Sequence, residues 1–165
     1  LFRDPNTGLM FDTASDHETL ITRPRDVTDN AMPSGPSLAA ELLARLAVVD
    51  DRPELADMAA ALVGSVSDAL GQYPSAFGHL LGTVDQLVHG AIEVAIVGGS
   101  DGELMRALNG VYVPSLVYAT DAGHSALSKG KAPHTAFVCR RYVCDAPTSD
   151  ASGLESQLVA ARRAR

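Results

Sequence analysis

Residues 11 to 37 pack acids, a histidine, arginines and turn formers into one long non-helical loop, and strongly amphipathic helices follow it. Pro33 and Pro36 remove backbone donors and restrict the residue before each of them. A helix can therefore start only beyond them, with Ser34 or Ser37 as its N-cap. A loop this long is uncommon in a compact domain unless it has a job or belongs to something larger. The second reading is preferred here. A chain that opens on Leu1, with no initiator Met, is expected to be a piece of a longer protein or one trimmed to its ordered part.

Upstream, Asp4-Pro5-Asn6-Thr7-Gly8 is a turn signal, and the segments 9–13 and 19–22 read as two short strands of a hairpin-like excursion. From Leu38 the apolar period becomes 3.6. Leu38, Leu42, Leu43, Leu46 and Val49 line the expected inner face of a helix over 38–50. Asp51 and Glu54 resemble a capping box for a second helix over 53–71, whose stripe is Leu55, Met58, Ala59, Leu62, Val66, Ala69 and Leu70. A third, over 75–88, carries Phe77, Leu80, Leu81, Val84, Leu87 and Val88. Short joins predict antiparallel neighbours.

The pattern then changes. Residues 93–97, 115–119 and 135–139 read as strands. A short helix after Ser100 and Glu103 stops at Gly110, and a last helix follows Asp150 with Leu154, Leu158 and Ala161 inward. That order predicts a small three-stranded α/β unit, with the boundary at residues 89 to 92.

At 165 residues and 46% hydrophobic content the chain can bury a core. A net charge of −7 argues against nucleic acid or an anionic membrane surface as partner. The basic run Arg162-Arg163-Ala164-Arg165 complements a helix C-terminus. No apolar run reaches the length that spans a bilayer. Two cysteines are too few for a secreted disulfide scaffold, so a cytoplasmic protein is expected.

Three ordered blocks carry a resemblance that covers almost the whole chain. They are Phe11-Asp12-Thr13 with Asp16-His17-Glu18 and Leu20-Ile21-Thr22-Arg23-Pro24; Asp29-Asn30-Ala31-Met32-Pro33-Ser34-Gly35; and the segment 136–150, Ala-Phe-Val-Cys-Arg-Arg-Tyr-Val-Cys-Asp-Ala-Pro-Thr-Ser-Asp. In this order they resemble the C-terminal part of the YyaL-like, spermatogenesis-associated thioredoxin-domain family. The resemblance implies an α+β architecture: antiparallel helical hairpins from an (α/α) six-hairpin toroid over residues 1–89, then a small α/β tail over 91–165. It also implies an epimerase- or glycosidase-like role in the complete protein, with a sugar as ligand. The partner it implies is the rest of the polypeptide, including a thioredoxin-like domain, or another protein chain. Pro36 departs from the family, which has Asn after Ser-Gly, and this weakens a sugar contact at that position.

Asp12, Asp16, His17, Glu18, Arg23, Asp26 and Asp29 form the densest polar constellation. Carboxylates near a histidine suit general acid/base chemistry on a sugar, with an arginine orienting one of them. The plainer account, turn formers and surface ion pairs, is preferred on the residues alone. Within the family blocks, Asp16, Arg23 and Asp29 are the catalytic candidates, and Phe11, Asp12, His17 and Ser34 the substrate-binding ones.

Cys139 and Cys144 lack the spacing of a thioredoxin motif, and His134 points away from Cys139 along a strand, so no metal site is expected. Packing is the first reading for Cys139 and a reversible thiol pair the second. A bond between the two needs Cα atoms within about 7 Å, whereas an extended span holds them roughly 16 Å apart. A turn is therefore expected after Cys139, with the thiols reduced in a cytosol. If the family's thioredoxin domain acts on its own tail, the two are redox candidates. Gly98-Gly99-Ser100-Asp101-Gly102 fits no nucleotide fingerprint and reads as a strand-to-helix turn. His79, His89 and His124 are isolated, and no cofactor is called for. The alternative to a carbohydrate-active protein is a non-catalytic structural or interaction module.

Overall fold

The structure, a computed structural model, describes residues 1–18, 21–98, 102–120 and 125–164. The chain forms two compact units, one of Leu1–Ala44 with Glu54–Leu87, the other of Arg45–Pro53 with Val88–Arg165. The sequence had put a single division at residues 89 to 92; here the end of the first helix joins the second unit.

In the first unit the N-terminal segment is tied by turns and one bridge, Arg3 to Met10, with no strand among its described residues. Thr19 and Leu20 of the expected second strand lie outside those residues. Helix α1 (Gly35–Val49) starts earlier than the expected residue 38: Pro36 lies inside its first turn, where a missing N–H breaks no helical bond, so residues 35–37 are helical after all. Ser34 is its cap: the Ser34 hydroxyl oxygen accepts from the Ser37 N–H at 3.3 Å. Pro53 opens α2 (Pro53–Gly64) with a φ already suited to a helix. The single helix expected over 53–71 is broken after Gly64, where the Ser65 hydroxyl turns back onto the Leu62 carbonyl at 2.6 Å. A short α3 (Ser67–Gln72) follows, then a tight turn, Pro74–Phe77, that leads into α4 (Gly78–His89).

α2 buries Leu55, Ala59 and Leu62 of its expected stripe, whereas α1 and part of α4 are turned differently from the expected apolar faces. On α1 the buried stripe is Ser37, Ala40, Ala44 and Ala47, while Leu38 and Leu42 are 48% and 56% exposed. On α4 Thr83 and Gln86 are buried with Phe77 and Leu80 nearby in sequence, while Leu81 and Val88 are exposed. Small and polar side chains thus take inward positions that a reading based on hydrophobicity alone gives to leucine and valine. The cluster that results is Ala40, Leu62, Phe77 and Leu80, with Met10, Leu43 and Val63 against it.

The second unit is built on a sheet of order β2-β1-β3-β4, made of β1 (Ile92–Val97), β2 (Leu116–Ala119), β3 (Thr135–Arg140) and β4 (Val143–Cys144). β1 pairs parallel with β2 and antiparallel with β3. All of β1 is buried, so it is packed on both faces. Ile92, Val94 and Ile96 meet Ala136 and Val138 on the face covered by α5 (Glu103–Gly110) and α6 (Ala151–Arg163). Ala91 and Ala95 lie on the other, with Val48, Val49, Val117, Leu127 and Phe137. α6 is capped by Asp150, whose carboxylate accepts from Gly153 N at 2.7 Å, and buries Leu154 and Leu158 as expected.

Two expectations are overturned. Among the described residues no six-hairpin toroid is formed: there are six α-helices, and two of them, α5 and α6, pack on the sheet of the second unit. Nor is the subdomain three-stranded, because β4 adds a fourth strand to a mixed sheet. The sequence hid β4 because it is two residues long and follows a two-residue turn. That turn, Arg141-Tyr142, has φ of 49° and 62°, the left-handed region that hairpins normally fill with Asn-Gly. Each such non-glycine residue costs roughly 1–2 kcal/mol, so packing must hold the turn in place.

Candidate functional site

The polar loop residues are engaged chiefly with backbone. Asp29 is their hub. One carboxylate oxygen accepts from Ser34 N at 2.9 Å, and the other from His79 N and Leu80 N at 2.9 and 3.0 Å. The second pair satisfies orphan donors in the first turn of α4. Burial pushes the Asp29 carboxyl up, but bonds from the Ser34 N–H, the Ser37 hydroxyl and the Leu80 and His79 N–H groups outweigh it, and the net shift is downward.

Arg23 donates to the carbonyls of Leu1 and Thr13 at 3.2 and 2.6 Å, and its guanidinium lies 3.9 Å from the centre of the Phe11 ring. Arg25 covers the same ring at 4.3 Å and pairs with Asp4 at 3.1 Å. Asp4 is held down to about 2, first by the Asn6 N–H, then by the Thr7 hydroxyl and, against an opposing effect of burial, by Arg25. Asp12 accepts from Asp26 N at 2.8 Å. A Cβ on Gly35 would sit 2.9 Å from an Asp12 carboxylate oxygen, so a larger residue there would push that carboxylate aside. Ser34 is buried as the α1 cap, whereas Asp16 and His17 are exposed.

Of the sequence candidates, Phe11 and Arg23 are thus brought together, Asp29 and Ser34 are brought together, and Asp16 and His17 stand outside both groups. Arg25 escaped the sequence reading; its alternation with Arg23 on either side of Pro24 was the available signal. His79 Nε2 lies 2.8 Å from Glu41 Oε2.

A cavity of about 270 Å³ opens in the same unit, and its lining is mostly apolar: Leu9, Met10, Leu42, Leu43, Met58 and Leu62 are prominent. Arg3, Thr7 and Ser65 add polar atoms, and no carboxylate is among the lining residues.

The second unit holds the other candidates. Cys139 and Cys144 are directly paired across β3 and β4, their Cα atoms are 3.9 Å apart, and they form a disulfide. The expected turn is present, but the thiols expected to be reduced are bonded. Cys139 is buried and Cys144 exposed. Glu93, read from sequence as part of an apolar strand, is 3% exposed and accepts from Tyr142 N at 3.0 Å. Burial raises its pKa against the Tyr142 and Arg141 N–H groups and the Lys131 charge. A glutamate inside a buried strand was the signal that could have found it. The Tyr142 hydroxyl donates toward the carbonyls of Val48 and Ala47 at 3.3 and 3.4 Å. Burial, then the Asp51 and Glu93 charges, push this phenol up to about 12.

Ser100, Asp101 and His124 lie outside the described residues. No helix of the described residues is long and apolar enough to cross a membrane. No family model matches the chain, and no curated protein matches it.

Proposed function

We propose that this chain is a non-catalytic interaction module, which receives apolar side chains of another polypeptide in the cavity beside Leu42. One observation carries the reading: the cavity is walled by aliphatic and methionine side chains and has no carboxylate, while Asp12 and Asp29 bond to backbone elsewhere. Such a lining suits apolar insertion better than a sugar, which needs several convergent polar partners. The exposure of Leu38 and Leu42 adds support, because neighbouring exposed apolar residues mark association surfaces. The partner is a polypeptide with an apolar helix face, within a longer chain or in a separate protein. A second copy of this chain carries such a face on α1 and is the first probe.

Sedimentation over a range of concentrations, with binding of an apolar fluorescent dye, tests this. The expected result is concentration-dependent association and dye binding, both weakened about tenfold or more in Leu42→Glu, since burying one leucine contributes about 2 kcal/mol. The carbohydrate reading predicts otherwise. Saturable binding of a mono- or disaccharide, lost in Asp29→Asn and indifferent to Leu42→Glu, would overturn the proposal.

A further inference from the structure

One row of residues crosses the whole sheet of the second unit: Val117, Glu93, Cys139 and Cys144 are successive register partners on β2, β1, β3 and β4. Direct partners on one face have Cβ atoms about 4.5–5.5 Å apart, so a buried carboxylate stands beside the disulfide. We propose that Cys139–Cys144 is a reversible thiol–disulfide exchange site, attacked at the Cys144 sulfur by an external dithiol, with Glu93 setting the proton state of the buried Cys139 side. This goes beyond the interaction module and rests on separate residues.

Three observations carry it. First, the bond is asymmetric: Cys144 is exposed and Cys139 is 6% exposed, so a thiolate from outside meets Cys144 first. Second, the bond closes a hairpin whose Arg141 and Tyr142 both occupy the left-handed region, at φ 49° and 62°. Strain held by a cross-link favours its opening, and backbone strain of this kind gathers at switching sites. Third, Glu93 is tied to that same turn through Tyr142 N at 3.0 Å. Around Glu93 and Tyr142 the charged groups are Lys131 from the segment before β3, Asp51 after α1, and Arg141 in the turn, which also donates to the Val88 carbonyl at 3.0 Å. A buried thiolate beside an ionised Glu93 would place two anions in one row, so the reduced pair retains a proton there.

The step balances as follows. A thiolate of the dithiol attacks Cys144 Sγ and forms a mixed disulfide. The Cys139–Cys144 bond breaks, and its electron pair leaves on Cys139 Sγ. Cys139 takes a proton, from the Glu93 carboxyl where that is protonated and otherwise from water, and solvent restores the carboxyl. The second thiolate of the dithiol then attacks its own sulfur in the mixed disulfide and expels Cys144 thiolate, which is protonated by water. The dithiol is oxidised by two electrons to a disulfide, and the pair is reduced to two thiols.

The full chain is equilibrated in buffers of reduced and oxidised dithiothreitol, quenched with acid, alkylated and weighed by mass spectrometry, with circular dichroism recorded alongside. The pair should interconvert reversibly while the protein stays folded. With glutathione disulfide as probe, Cys139→Ser should form a mixed disulfide on Cys144 about tenfold faster than Cys144→Ser forms one on Cys139, because exposure controls access. Glu93→Gln, which keeps the acceptor for Tyr142 N, should remove an inflection from the pH profile of reduction. Resistance to dithiothreitol until denaturant is added would overturn the exchange site, as would equal trapping of the two cysteines. A wild-type pH profile in Glu93→Gln would overturn the role of Glu93.

Discussion

At Asp29 burial and hydrogen bonding act on one carboxyl in opposite directions, and the hydrogen bonds win. The ionised form is worth most to the fold because it accepts from three backbone N–H groups that have no helical partner, at Ser34, His79 and Leu80. Asp29→Ala leaves all three without that acceptor and should cost about 1–2 kcal/mol, the usual loss for a removed cap, seen as a lower urea midpoint. The pH dependence has a definite sign. The folded pKa lies below the ordinary 3.8, so the contribution is present above that value and is lost as pH falls through the folded pKa. The difference between wild type and Asp29→Asn should therefore shrink on acidification below 3.8. From sequence, Asp29 was visible as part of a polar block, but not as a cap: its partners lie some fifty residues away on α4, and no local spacing records that.

Among the elements, α6 has a start set by its own neighbouring residues. Asp150 accepts from Gly153 N at 2.7 Å, and Thr148 donates its hydroxyl to Asp150 at 3.0 Å. Helix propensity alone says that Gly153→Ala should stabilise by about 1 kcal/mol. The packing says the reverse, because a Cβ there would lie 2.5 Å from Thr148 Oγ1 and 3.0 Å from an Asp150 oxygen. A β-branched threonine has few rotamers to move to, and its movement breaks the cap. Gly153→Ala should lower the thermal midpoint, with a net loss of about 1 kcal/mol, and Thr148→Ala in the same chain should recover part of it. The start of α6 was legible because Asp150 and its neighbours are local cap chemistry. The β3–β4 hairpin was not, since its turn uses Arg141 and Tyr142 where the turn code calls for Asn and Gly.

Across the whole molecule the titrating groups pull stability in opposite directions with pH. Asp4, Asp29 and Asp150 are all shifted down, so they favour the fold above the ordinary aspartate range and lose that effect in acid. Glu93 is shifted up: its contribution is full below 4.5 and is lost as pH rises through its folded pKa. Stability should therefore rise from strong acid and then decline as Glu93 ionises. Urea midpoints measured across this range should show the decline in wild type and its absence in Glu93→Gln. A decline of equal size in Glu93→Gln would assign it to other groups.

What the sequence determined by itself was local. Ser34 was legible as a cap for α1, although the helix takes in Pro36 where the prolines had put its start later; apolar runs located β1, β2 and β3, and Asp150 with Leu154 and Leu158 specified α6. Each depends on backbone sterics, capping or period within a few residues. Tertiary structure decided which side of α1 is buried and part of the buried side of α4, since alanines on α1 and polar Thr83 and Gln86 on α4 went inward. It also decided the fourth strand, the disulfide and the row from Glu93 to Cys144. The Glu93–Cys139 pairing depends on register between segments far apart in the chain, and the β3–β4 hairpin, although local, turns through left-handed Arg141 and Tyr142, where residue preferences announce no turn.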